Sequence, residues 1–138
     1  MSDARILIVE DELITAIDEK ETLEELGYEI IDIVDTGEKA IDAAGNLKPD
    51  VILMDITLKT EMTGMDAAWA IRKKYGIPVI FVTAKGNKHI YDAANAGAIT
   101  GYIVKPFDPK SLQENIEAAI RGDLDPPDAW SPNSEQSN

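Results

Sequence analysis

Side chains able to do chemistry follow runs of apolar residues at four points of this sequence. Glu10-Asp11-Glu12 follows Ile6–Val9, Asp55 follows Val51–Met54, Thr83 follows Val79–Val82, and Lys105-Pro106 follows Tyr102–Val104. If those runs are neighbouring strands pointing the same way, three or more carboxylates, one hydroxyl and one ammonium converge on one rim. Each group has an ordinary reading of its own. An acidic triplet at a helix start favours the macrodipole, a lone Asp or Thr after a strand serves as a turn or cap residue, and Lys-Pro is a common turn pair. Their joint placement carries the chemical meaning. Carboxylates ~5 Å apart repel by roughly 3 kcal/mol per pair at an effective dielectric of about 20. Protonation or a bound cation must relieve that repulsion. A hard cation with oxygen ligands, Mg2+ above all, is the economical answer.

The elements that must position these groups are legible in the pattern. Five short runs, the four above and Ile30–Val34 with Asp32 interrupting it, are rich in Val and Ile. Gly27, Pro49-Asp50 and Pro78 bound three of them. Length and β-branching favour strands covered on both faces. Between them lie stripes of helical spacing: Leu13, Ala16, Ile17, Leu23, Leu26; then Ala40, Ile41, Ala44, Leu47; then Ala67, Ala68, Ile71, Tyr75; then Ile90 to Ala96; then Leu112, Ile116, Ala119, Ile120. Gly27 and Gly76 sit where a glycine ends a helix, Asp35-Thr36 reads as a cap, and Asp108-Pro109 as N-cap and first helical residue. Strands alternating with helices of this length mean right-handed crossovers and a parallel sheet with helices on its faces. In such sheets the ligand site lies beyond the carboxyl ends of the strands. The folded unit is expected over residues 4–121. The composition changes at Gly122, and 122–138, with Trp130 its one notable apolar residue, reads as a disordered tail.

Composition narrows the function. With 13 basic against 26 acidic residues among 138, the net charge is −13, which argues against direct nucleic-acid binding. Hydrophobic residues at 44% supply a core. The absence of cysteine excludes disulfides, a thiol nucleophile and zinc–thiolate sites. No stretch approaches the ~18 apolar residues of a membrane span, and the first residues lack a signal-peptide pattern, so a cytoplasmic setting is expected. No G-x-G-x-x-G or G-x-x-x-x-G-K-[ST] is present, so neither a dinucleotide nor a nucleoside-triphosphate cradle is supported. His89, the single histidine, reads as a surface residue.

In this order, Ile6-Leu-Ile-Val-Glu-Asp-Glu12, Pro49-Asp-Val-Ile-Leu-Met-Asp55, Gly64-Met-Asp, Ile77-Pro-Val-Ile-Phe-Val-Thr-Ala84 and Gly101-Tyr-Ile-Val-Lys-Pro-Phe107 resemble the receiver domain of two-component response regulators, the stand-alone chemotaxis-regulator type in particular. The resemblance covers residues 4–121. It implies a flavodoxin-like, doubly wound, five-stranded parallel sheet of order 2-1-3-4-5 with helices on both faces. It implies Asp55 as phosphoacceptor. Mg2+ would be held by Asp11 directly, by Glu10 through water, by Asp55 itself and by the main-chain carbonyl of Thr57. Thr83 and Lys105 would engage the phosphoryl group, and Thr83 with Tyr102 would form the switch. Lys59 departs from the proline many receivers carry after the phosphoacceptor.

The implied donor is a sensor histidine kinase or phosphotransfer protein. The implied reader is a downstream target or output domain at the surface of the fourth helix, fifth strand and fifth helix. A dimer through that surface is a further option, and neither nucleic acid nor membrane is a direct partner. Such a chain is not an enzyme beyond promoting its own phosphorylation and dephosphorylation. Two other readings compete: a degenerate receiver serving as an unphosphorylated interaction module, and an aspartyl-nucleophile phosphatase. The phosphatase class expects D-x-D after its first strand, where this chain has Glu10-Asp11-Glu12.

Overall fold

The computed structural model describes residues 4–55, 64–83, 101–104 and 108–122, with backbone only at Thr83, Gly101, Tyr102 and Val104. The elements run β1 Arg5–Val9, α1 Leu13–Glu25, β2 Glu29–Val34, α2 Gly37–Leu47, β3 Val51–Asp55, α3 Gly64–Tyr75, β4 Val79–Thr83, β5 Gly101–Val104 and α4 Pro109–Arg121. The expected helix over 90–96, His89 and the tail beyond Gly122 lie outside the described residues, so α4 corresponds to the fifth helical stripe of the sequence. The strands form one sheet of order β2-β1-β3-β4-β5, every pair parallel.

Alternation of side chains along the strands splits the core into two layers. Leu7, Val9, Ile52, Met54, Val79 and Phe81 face α2 and α3, whose contribution is mostly small: Ala40, Ala43, Ala44, Ala67, Ala68 and Ile71. Ile6, Ile8, Val51, Leu53, Ile80 and Val82 face α1 and α4, meeting Ala16, Leu23, Leu112 and Ile116. Strands β1 and β3 are therefore buried on both faces, as continuous aliphatic runs require. Each fully buried large aliphatic contributes about 1.5–3 kcal/mol. Among the described residues no helix is long and apolar enough to cross a membrane.

Strand β2 departs from that expectation because it is the edge strand, and its residues are only half-buried or exposed. Its interrupting aspartate has a structural consequence. In the register with β1, Ile6 lies opposite Ile30 and Leu7 opposite Asp32, so Ile31 is an extra residue. This bulge resets the alternation: Ile30 and Ile33 pack on the α1/α4 layer and Ile31 and Val34 on the α2/α3 layer. Strict alternation would have turned Asp32 into the core beside Ile30. The bulge leaves it exposed.

Helix α1 also differs from its expected stripe. Ala16 and Leu23 are buried as expected, together with Glu19, but Leu13, Ile14 and Ile17 are 70%, 84% and 43% exposed. Four apolar residues at 13, 14, 16 and 17 wrap too far around a helix for one face to bury them all. Tyr75 and Ile120, the last members of their stripes, are likewise exposed.

Local chemistry sets the boundaries. Thr36 caps α2 by accepting from the Lys39 amide, and Asp108 caps α4 by accepting from the Lys110 amide at 2.8 Å. That bond holds the exposed Asp108 carboxyl below its usual range. Gly27, at φ 98°, supplies the left-handed turn out of α1 that residues with a Cβ resist.

The phenol of Tyr28, 4% exposed, donates to Glu117 Oε2 of α4 at 2.5 Å and ties the α1–β2 turn to the last helix. Burial first, then this bond and the charge of Glu117, push the phenol's pKa above its ordinary 10.0. The folded state therefore keeps a proton that the unfolded chain releases earlier. Stability from this source is complete below the ordinary value and declines as pH climbs towards the raised one. Tyr28→Phe is expected to lower urea-measured stability by about 1.5–3 kcal/mol, the range for a hydrogen bond to a charged group, and to flatten this alkaline decline.

Candidate metal centre at the carboxyl end of the sheet

Register brings the acidic residues together. Val9 pairs with Met54 across β1 and β3, so the next residues, Glu10 and Asp55, reach the rim side by side. Asp55 is the last residue of β3 and lies opposite Val82 of β4. The Glu10 amide continues the ladder by donating to the Val34 carbonyl at 2.9 Å. The chain then turns into α1 within two residues, Asp11 and Glu12.

The turn orients the carboxylates. The Glu12 amide, at the N-terminus of α1, donates to Glu10 Oε2 at 3.2 Å. Glu12 itself looks away, its Oε1 accepting from the Thr15 hydroxyl at 3.3 Å, and it caps α1 with its backbone alone. The helix N-terminus carries partial positive charge, which suits a carboxylate as buried as that of Glu10, 3% exposed. Asp55 is 8% exposed and Asp11 half-buried.

One carboxylate oxygen from each of Glu10, Asp11 and Asp55 lies within 4.8 Å of the others. The donor set is all oxygen, anionic and compact. It fits a hard divalent cation such as Mg2+ and offers nothing to a metal that prefers nitrogen or sulfur. Beside it a cleft of ≈ 250 Å³ runs between α1 and the start of α2. Leu13, Ala16, Ile33 and Val34 give it an apolar wall, with Glu10 and Asp11 at one side and Asp35 and Lys39 at the other. Lys39 Nζ is 3.1 Å from Asp35 Oδ1, a pair largely open to solvent.

Of the residues expected to work here, Glu10, Asp11 and Asp55 are thus brought together. Thr83 ends β4 opposite Val104, the last residue of β5. Its backbone is therefore at the same rim, while its side chain lies outside the described residues. Tyr102 pairs with Phe81, and its side chain is likewise outside. Thr57 and Lys105 are outside altogether, although Lys105 directly follows Val104 in the chain. The sequence reading missed the exposed aliphatic face of α1 beside the acidic group. The available signal was Ile14, which no single stripe accommodates.

Comparison with known proteins agrees with this geometry. The family model of the response regulator receiver domain matches residues 6–117. The transcriptional regulatory protein PdtaR of Mycobacterium tuberculosis is 35% identical over 116 residues, spanning 84% of this chain and 56% of that protein. YdfI of Bacillus subtilis, also named a transcriptional regulatory protein, is 32% identical over 121 residues and 56% of its length. The chain spans about half the length of these curated relatives. Among solved structures, the signal receiver domain of a modulated diguanylate cyclase from Desulfovibrio desulfuricans G20 superposes with a TM-score of 0.81 at 32% identity, covering 88% of this chain and 97% of that one. A LuxR-family response regulator from Aurantimonas gives 0.82 at 29% identity, covering 98% and 94%. An aliphatic parallel sheet with three carboxylates gathered at its carboxyl rim, matched over residues 6–117, makes this chain a member of the response regulator receiver family.

Proposed function

We propose that Asp55 accepts a phosphoryl group from a phosphohistidine, with Mg2+ held by Asp11, Asp55 and the Thr57 carbonyl, and with Glu10 acting through water. The observation that supports this most is the convergence of the Glu10, Asp11 and Asp55 carboxylates within 4.8 Å. When bound, Mg2+ supplies positive charge to the oxygens of the incoming phosphoryl group. An Asp55 oxygen attacks phosphorus, the new O–P bond forming as the P–N bond breaks and the imidazole leaves. A carboxylate has no proton to lose, so no general base is needed, and positioning and charge do most of the work. Lys105 contributes a second cation and Thr83 a hydroxyl that donates to the transferred group. Tyr102 follows Thr83 in the switch, changing the surface around β5 and the helices beside it. The receiver unit is assigned to residues 4–121 in a cytoplasmic setting.

The donor is a sensor histidine kinase or phosphotransfer protein, and the exposed Leu13, Ile14 and Ile17 of α1 give it an apolar landing beside the acidic group. Leu13 already lines the cleft that Glu10 and Asp11 share. The reader of the switched surface is a downstream protein or an output domain.

Beryllofluoride, which mimics a phosphoryl group on a carboxylate, tests the reading against that of a degenerate module. With Mg2+ and beryllofluoride together the melting temperature is expected to rise by about 5–10 °C, and chelation should reverse the rise. A chain whose melting is unchanged by the pair would be a binding module without phosphoacceptor chemistry.

A further inference from the structure

The outer edge of β2 carries a set of features that phosphoryl transfer does not use. An edge strand offers unpaired amides and carbonyls to any strand that approaches, including one from a second copy. Strand β2 ends the sheet order. Its inner side is identified by the Glu29 amide donating to the Ala4 carbonyl and the Val34 carbonyl accepting from the Glu10 amide. Backbone groups alternate in direction along a parallel ladder, so Ile33, one residue before Val34, turns its amide outward. That amide is already taken: Asp32 Oδ1 accepts from it at 2.8 Å. Immediately before it, the bulge at Ile31 breaks the spacing that an added strand would have to match. Glu29 and Asp32 are both exposed on this strand, and a second copy would bring the same two acids against them.

We propose that Asp32 locks the β2 edge against strand addition by a second copy of this chain, through its bond to the Ile33 amide, its charge and the bulge it enforces. This accounts for an aspartate between the aliphatic residues Ile31 and Ile33 of the strand. The lock belongs to the fold alone and requires neither phosphorylation nor metal.

Asp32→Val tests it in the full chain. Valine can neither accept the amide nor repel a copy, and it favours a straight strand. In sedimentation across a concentration series, the variant's self-association constant is expected to exceed the wild type's by about tenfold or more. Hydrogen exchange should show the Ile33 amide becoming protected as the variant associates. Asp32→Asn, which keeps an acceptor and drops the charge, guards against a misfolded valine variant, with an expected rise of about threefold. Folded variants that associate no more than the wild type would overturn the proposal. So would a wild type that itself dimerises with a protected Ile33 amide.

Discussion

Asp55→Asn is expected to abolish labelling by acetyl phosphate in the presence of Mg2+, a loss on the order of 10³-fold or more. Asparagine matches aspartate in shape and fits the same buried place at the end of β3. Its amide oxygen is uncharged and too weakly nucleophilic to attack phosphorus, and it cannot form an acyl phosphate. Unchanged circular dichroism would show that the fold survives. Intact mass reads the result directly, since one phosphoryl group adds a fixed mass. Labelling of the variant at wild-type stoichiometry would place the acceptor elsewhere. Asp11→Asn should act differently, slowing labelling while leaving the acceptor in place, because it weakens metal binding and spares the nucleophile.

The same two substitutions should stabilise the metal-free protein. Three carboxylates whose oxygens lie within 4.8 Å of one another repel by about 3 kcal/mol per pair at an effective dielectric of about 20. Two of them, Glu10 and Asp55, are buried, where solvent screens less. Neutralising Asp55 or Asp11 removes two of the three pairings. Once lost hydrogen bonds are set against this, a net gain of about 1–2 kcal/mol is expected, read as a higher melting temperature in chelator. Millimolar Mg2+ should close the gap by stabilising the wild type more than either variant. This sign is unusual, since most substitutions of buried residues destabilise, and that gives the measurement its force. A wild type indifferent to Mg2+, with variants no more stable than it in chelator, would mean that the carboxylates do not strain against each other.

Much of the fold is legible because its strands are buried on both sides. Val51–Met54 and Val79–Val82 are continuous and apolar since neither face of β3 or β4 meets water. Where one side is open, the reading fails for a physical reason. Strand β2 resembles the central runs in composition, yet it is the edge strand. Asp32, read as an interruption, is accommodated by a bulge that no single-strand pattern reveals. Helix α1 fails in the same way, since Leu13 and Ile17 continue a stripe on paper while the helix turns them outward. Glu19 is the converse, an acid among the buried residues of that helix. The acidic group was legible because it depends only on where strands end: Val9 pairing with Met54 delivers Glu10 and Asp55 to one place. The cleft between α1 and α2 was not, because Asp35 enters it from a connection that reads as a simple helix cap and Lys39 from the first turn of α2.

The most direct test of the account locates the label. Wild-type chain is incubated with acetyl phosphate and Mg2+, the acyl phosphate is reduced with borohydride to mark its position, and the peptides are sequenced by mass spectrometry. The account predicts a single modified residue, Asp55, with modification lost when Mg2+ is chelated. Modification of another residue, or modification of Asp55 that proceeds equally well without a divalent ion, would contradict it.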